Sequence, residues 1–414
     1  MFLPCPKVEA EAFNTFGYKR RFDVPQCLPK NMVEERQHRL SPSAWNRYET
    51  CPRMYWLSRQ GLPRKAGMAA SLGTAVHASI EDLLQINLDG RELSESNWLP
   101  NTADEILQKR WEEEKQIFHE TPRHPNWKDD KYKEARKQQA GAVNMLLDHV
   151  GIAGLSFERI TVALWKKIQS LVIAVEGELV TKDGHLMGRL DLLLAEIDKE
   201  GKLAGWLVAD LKTGKAPIGS LKPEVNRQLR MYRDILLSNN PNPPPVRAEG
   251  WYTSTTSKWV AKGDNVLEDA LAAWKATQIT EEPLAPTPGQ SSCGGFCDWK
   301  AWCPHWLKWR HESGSLHKGD FADGVILIHE YKPAQGIAIV ESCTPKGDQG
   351  EVEPNGDKRS VQFDGRGKEV LEKLLDEGHE GPIFIGSAMM NRDVWRVGPW
   401  CDVLPWAPIP DSGR

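Results

Sequence analysis

Asp210-Leu211-Lys212 follows Asp191 by nineteen residues and is itself followed by Gln228 and Tyr232, and these types at these spacings can cleave a phosphodiester with a metal ion. Two apolar runs, Leu186 to Ile197 and Leu203 to Leu211, flank the polar turn Asp198-Lys199-Glu200-Gly201-Lys202, which reads as a hairpin. Centring the turn between Glu200 and Gly201 makes paired residue numbers sum to 401 and sets Asp191 opposite Asp210. Their Cβ atoms would then lie roughly 5 Å apart. Strand alternation puts Lys212 on the same face. Two carboxylates suit Mg²⁺ or Mn²⁺, which take hard oxygen ligands. Such an ion lowers the pKa of a bound water and polarises a phosphate, and a neighbouring lysine offsets charge that develops in the transition state. Taken alone, D-x-K equally describes a surface hairpin with an ordinary ion pair, so the neighbouring residues decide.

Those neighbours are suggestive. Gly73-Thr74-Ala75-Val76-His77, with Glu81, Leu83 and Leu84 beyond it, reads as the opening of a helix on which His77 is a candidate metal ligand. Gln228 and Tyr232 share a helical face, flanked by Arg227, Arg230 and Arg233. With Lys215 and Lys222, these arginines are candidates for a groove that holds phosphates; scattered surface charge is the competing reading. Glu176 or Glu178, in the strand-like run from Leu171 to Val180, is a candidate to assist the metal, and spacing does not choose between them. Thr213-Gly214-Lys215 lacks the glycine and hydroxyl of a nucleotide-binding loop, so no ATP motor is encoded.

Cysteines form the second pattern: Cys293, Cys297 and Cys303-Pro304 are compact, and Cys51-Pro52 is remote. The spacings within the triplet differ from the C-x2-C pairs usual for structural zinc and favour an iron-sulfur cluster. Eight cysteines in 414 residues argue against a disulfide framework, and Cys5, Cys27, Cys343 and Cys401 read as spare, reduced thiols. Trp299, Trp302, Trp306 and Trp309 recur at helical intervals and read as packing rather than as a base-stacking stripe.

In order along the chain, Ser41-x-Ser43 to Cys51-Pro52, Gly73 to His77, Gly188-Arg189-Leu190-Asp191, Asp210-Leu211-Lys212, Gln228-xxx-Tyr232 and the cysteine triplet resemble the RecB-like branch of the PD-(D/E)XK nuclease superfamily. The resemblance is strongest to its iron-sulfur members, similar to the exonucleases of CRISPR adaptation and of AddB type. It implies an α/β fold with a restriction-endonuclease-like mixed sheet flanked by helices. It also implies His77, Asp191, Asp210 and the Leu211 carbonyl as ligands of Mg²⁺ or Mn²⁺, Lys212 as the catalytic lysine, and Gln228 and Tyr232 as substrate-positioning residues. Cys51, Cys293, Cys297 and Cys303 would hold a structural [4Fe-4S] staple that spans 241 intervening residues. The implied activity is that of a metal-dependent DNA nuclease, an exonuclease on single strands or ends. The alternative is a catalytically silent scaffold that binds DNA or a helicase; the full set of His77, Asp191, Asp210 and Lys212 favours the enzyme, since a scaffold has no chemical need of it.

Length predicts two or three domains: an arm over residues 1–40, a nuclease domain over 41–317 with a helical insertion at about 81–170, and a small mainly-β or α+β domain over 318–414, with an OB-like barrel as one candidate. Residues 41–150 read as mainly helical. The core sheet is expected from residues 171–212 and 246–253, with a helix from Glu224 to Leu237 between them. Net charge is -4, with -6 carried by residues 318–414 and +2 by the remainder. That acid argues for a protein partner, such as a helicase, on the C-terminal domain, with DNA held by the nuclease part. No run approaches the roughly 18 apolar residues of a membrane span, and no secretory segment is evident, so the expectation is a cytoplasmic protein without membrane contact.

Overall fold

The computed structural model describes residues 38–294, 297–313, 321–391 and 394–411. Most of the expected N-terminal arm, with Cys5 and Cys27, lies outside them. In chain order the elements are α1 (Pro42–Thr50), α2 (Pro52–Leu57), α3 (Met68–Gln85), α4 (Leu99–Glu120), α5 (Tyr132–His149), α6 (Val162–Leu171), β1 (Val172–Val180), β2 (Met187–Ile197), β3 (Leu203–Lys212), α7 (Pro223–Asn239), β4 (Val246–Tyr252), β5 (Ser257–Val260) and α8 (Leu267–Ala276). Then come α9 (Pro304–Ser313), β6 (Phe321–Lys332), β7 (Ile337–Pro345), β8 (Val352–Phe363), α10 (Gly365–Asp376), β9 (Ile383–Asn391), β10 (Val394–Val397) and β11 (Asp402–Pro405). Among the described residues, no helix is long and apolar enough to cross a membrane.

The chain forms two compact units, each assembled from three stretches. Among the described residues, the first takes in 38–41, 76–110 and 134–272. Its five-stranded sheet runs in the order β1-β2-β3-β4-β5, antiparallel except for β3 beside β4. A parallel pair needs a crossover, and α7 provides it. Leu192 faces Ala209, Leu193 faces Val208, and the pairing continues to Glu196 opposite Gly205, which is the register expected from the turn. Asp198 closes that turn by accepting the amides of Glu200 and Lys202 at 2.9 and 2.8 Å, and Gly201 takes a φ of 80° that other residues disfavour.

One face of this sheet is apolar. Leu192 and Leu194 of β2 and Leu207, Ala209 and Leu211 of β3 share a core with Ile80 and Leu83 of α3, Leu146 of α5 and Trp165 of α6. Parts of the expected helical insertion, in residues 81–110 and 134–170, therefore cover the sheet, while residues 111–133 belong to the second unit. The intervening residues Asp191, Asp210 and Lys212 are turned to the opposite face by strand alternation, where α7 packs. β5 was not anticipated: Ser257-Lys258-Trp259-Val260 is too short to show a period.

The second unit comprises residues 42–75, 111–133 and 273–414. A boundary at 317/318 does not mark this division, since Trp56, Trp302, Cys303, Trp306, Val325, Phe384 and Trp406 are buried in one cluster. The tryptophans pack there as expected, but not as one continuous stripe: Lys300–Trp302 is a short 3-10 turn, and α9 begins only at Pro304. The C-terminal strands pair β6-β7-β8-β10-β9 and back to β6, closing a five-stranded ring. β8 and β10 are parallel, α10 lies between β8 and β9, and β11 adds to β9. The ring encloses Ile326, Val340, Val361, Phe363, Ile385 and Val397. Closure removes open edges that would otherwise template aggregation.

Candidate active site and cysteine cluster

The acid site is built on the middle of the first sheet. Val175 faces Leu192 and Gly177 faces Leu190, so Glu176 meets Asp191 across the β1–β2 ladder. Glu176 itself takes a φ of 49°, a left-handed conformation that costs a non-glycine residue roughly 1–2 kcal/mol. Strain of this kind persists only where the surroundings hold it. α3 brings His77 to the same place, with Nδ1 3.3 Å from Asp191 Oδ1. One ligand atom from each of His77, Glu176 and Asp191 lies within 4.8 Å of the other two. Of the two strand glutamates, geometry thus selects Glu176; Glu178 is exposed and pairs with Arg39 at 3.6 Å. α3 starts at Met68, ahead of the helix opening read at Gly73.

Asp191 is held by the backbone of β3, since the Leu211 amide donates to its Oδ2 at 2.6 Å. Asp210 stands beside this group but is turned to other partners. Lys212 Nζ lies 2.5 Å from Asp210 Oδ2, and Gln228 Nε2 donates to Asp210 Oδ1 at 3.2 Å. Lys212 also donates to Gln228 Oε1 at 3.1 Å, and the same amide reaches Tyr232 Oη at 2.9 Å. Gln228 therefore ties the carboxylate, the lysine and the tyrosine into one network. Tyr232 reaches its place because position 188 is glycine: a Cβ there would sit 2.5 Å from the tyrosine ring.

Electrostatics follow from this crowding. Burial pushes the Asp210 carboxyl up to about 6, and Asp191 adds to the rise while Lys212 opposes it. Burial and then Asp191 raise Glu176 above the usual carboxylate range. For His77, burial disfavours the charge, but Asp191, Asp210 and Glu176 together outweigh it and raise the pKa. The same contest at Lys212 is won by Asp210 and Asp191, so the ammonium is held charged. Three carboxyl groups crowded beside an imidazole form a donor set that fits a divalent cation, whose charge would offset the burial and repulsion that raise Glu176 and Asp210. His77, Lys212 and Arg189, whose Nε lies 2.6 Å from Glu176 Oε2, provide part of that relief.

Two of the α7 arginines expected to line a phosphate groove also make contacts within the protein. Arg230 donates to the Asp264 carbonyl through Nε at 3.0 Å and Nη2 at 2.6 Å, and Arg233 reaches the Gly263 carbonyl at 3.2 Å and Asp234 at 2.7 Å. These guanidinium groups brace the exposed loop after β5.

The cysteines gather in the second unit. α2 docks on the segment before the triplet: Tyr55 Oη donates to the Thr277 carbonyl and Trp56 Nε1 to the Thr280 carbonyl, each at 3.2 Å. The Thr287 amide points at Cys51 Sγ from 3.4 Å. Cys51, Cys293 and Cys303 are buried and Cys297 is half-buried, all as free thiols. Burial pushes Cys297 and Cys303 up to about 12 and also raises Cys293, with Cys51 and Cys293 near enough to add to it at Cys297. Beside them Arg53 is fully buried over Trp56, donating to the carbonyls of Ile409 and Pro410 and to Asp411. Four converging thiols and a buried cation fit a site for thiolate ligands, because a bound metal removes the penalty that keeps such thiols protonated. Cys343 and Cys401 are likewise free, in the C-terminal strands and the segment before β11.

None of the curated proteins matches the chain. The family description that does match, over residues 39–304, covers the acid site, α7 and the cysteines, so the chain belongs to the PD-(D/E)XK nuclease superfamily, with a RecB-family nuclease domain over those residues.

Proposed function

We propose that the protein is a metal-dependent deoxyribonuclease that hydrolyses DNA from single-stranded regions or ends. The observation that carries this reading is the meeting of His77, Glu176 and Asp191 within 4.8 Å, next to the Asp210–Lys212–Gln228 network. His77, Glu176 and Asp191 would hold the cation, with Asp210 and the Leu211 carbonyl at its margin. When bound, Mg²⁺ or Mn²⁺ supplies an acidified water and a polarised phosphate. The chain's own residues do the rest. Lys212 presents a charged ammonium toward the developing phosphorane, and Gln228 fixes its direction. Tyr232 and Gly188 fix Gln228. A catalytically silent scaffold would gain nothing from a strained Glu176 and a buried Asp210–Lys212 pair, both of which cost stability.

The test is cleavage of single-stranded DNA, labelled separately at each end, with Mg²⁺ or Mn²⁺ added. Activity should fall at least about 10²-fold in Lys212→Ala, and Glu176→Gln should demand more metal while Glu178→Gln behaves as the parent. Label release from one end first gives the polarity. Intact protein that leaves both labels untouched would return the scaffold reading.

We further infer that Cys51, Cys293, Cys297 and Cys303 carry a structural iron-sulfur cluster, supported by their convergence, their burial and the tryptophans packed around them. Iron, acid-labile sulfide and broad visible absorption in the purified protein would agree with it. A colourless protein containing zinc would refute it. The acidic C-terminal strands are best suited to a protein partner.

A further inference from the structure

The loop between the two halves of the acid site carries an isoleucine in an unusual position. Residues 213–222 leave β3 directly after Lys212 and enter α7 six residues before Gln228. Both ends are tied down: Gln138 donates to the Thr213 carbonyl at 3.1 Å, Thr253 donates its amide to the Lys212 carbonyl at 3.1 Å, and Leu221 packs where a Cβ on Gly250 would meet it at 3.4 Å. Between these anchors Ala216 and Pro217 are half-buried, and the chain stands clear from Ile218 to Ser220. Ile218 is 100 % exposed, the most exposed large apolar side chain among the described residues. Gly219, with a φ of 81°, turns the chain back immediately after it.

A scattered surface apolar side chain needs no explanation. This one differs in being wholly in water, at the tip of a turn tethered on both sides, and in emerging from the catalytic strand. It lies six positions after Lys212, so its Cα is no further than about 20 Å from the Lys212 Cα. From Leu211 to Pro223 the sequence has Lys212, Lys215 and Lys222 and no acidic residue. Lys215 and Lys222 are exposed. A cationic loop with an apolar tip matches a nucleic acid strand in both its parts: lysines for phosphates, and a branched aliphatic side chain for the face of a base.

We propose that Ile218 is a wedge, which inserts at the terminal base step of a duplex and separates the strand that enters the acid site, with Lys215 and Lys222 on the adjoining phosphates. The proposal rests on the nuclease reading and specifies its substrate: ends whose last pairs are opened by the protein itself. Ile218 is then a specificity-determining residue and takes no part in hydrolysis.

The experiment compares a blunt duplex with the same duplex bearing three unpaired terminal nucleotides, each with 2-aminopurine at the end to be cut. Ile218→Ser should slow cleavage of the paired end about tenfold and of the unpaired end less than twofold, with Ile218→Leu restoring the parent rate. Binding of the parent to the paired end should raise 2-aminopurine fluorescence, and Ile218→Ser should abolish the rise. Equal rates for parent and Ile218→Ser on paired ends, or an unchanged fluorescence rise, would overturn the wedge. A fluorescence rise that depends on Ile218 in a protein that cuts neither substrate would sustain the wedge and instead defeat the nuclease reading. If Ile218→Ser associates or dissociates as an oligomer where the parent does not, the side chain serves a protein contact and the proposal fails.

Discussion

The acid site and the cysteine site gather ligands in opposite ways. In the first, charged groups are half-exposed or hydrogen-bonded, fixed by strand register, by the Leu211 amide and by Gln228. In the second, Cys293 and Cys303 are sunk among tryptophans, and burial raises the Cys293, Cys297 and Cys303 thiols. A group that must exchange substrate and product needs a pre-formed polar frame on a rigid sheet. A group that need only be retained is better served by an apolar shell, where an unligated thiol is inert. On the proposed readings, the first site should lose a ligand without losing its scaffold, whereas the second would be part of its scaffold.

Crossed substitutions test that contrast most severely. Asp191→Ala should remove at least about 10²-fold of the cleavage rate and shift the melting temperature little, because the hairpin that carries it is held by its own ladder. Cys303→Ser should do the reverse at first, reducing soluble yield and any visible chromophore before the rate per folded molecule changes. If Cys303→Ser is as stable as the parent and Asp191→Ala melts well below it, the contrast is wrong. Gly188→Ala probes how rigid the polar frame is. The added methyl must displace the Tyr232 ring, at a cost of about 1–3 kcal/mol in stability, and a ring moved by about 1 Å should slow turnover by up to about 10²-fold through Gln228. Rates equal to the parent would detach Tyr232 from the site. The smallest effect belongs to Arg230→Ala, which should lower stability by about 1 kcal/mol through the lost bonds to Asp264. It should leave the salt dependence of DNA binding unchanged; a shallower slope would reinstate a phosphate contact.

Much of the acid site was legible because a short polar turn fixes register. Once Asp198–Lys202 is read as a turn, the facing of Asp191 and Asp210 and the side taken by Lys212 follow from a period of two. Gln228 and Tyr232 were legible for the same kind of reason, a helical period of 3.6. Glu176 was only half legible: its strand was evident, but the choice between it and Glu178 depended on which residue meets Asp191 across a ladder whose turn, at Thr181–Leu186, gives a weaker register signal. For Arg230 and Arg233 of α7, periodicity shows which face a side chain takes, not that the Asp264 and Gly263 carbonyls wait there. The division of the chain was obscured because both units are discontinuous, and composition along a sequence registers only contiguous pieces.

The sequence by itself determined the hairpin, its register, the alternation that segregates Asp191, Asp210 and Lys212 from the apolar face, and the cysteine spacing, since these depend on local periodicity and turn chemistry. Tertiary structure alone decided that His77 reaches Asp191 from another element, that Gly188 makes room for Tyr232, and that Cys51 joins a triplet far along the chain. It also decided that β10 pairs with both β8 and β9 to close a ring. These are contacts between residues distant in sequence, and their geometry is set by the packing of whole elements, for which no local pattern carries a signal.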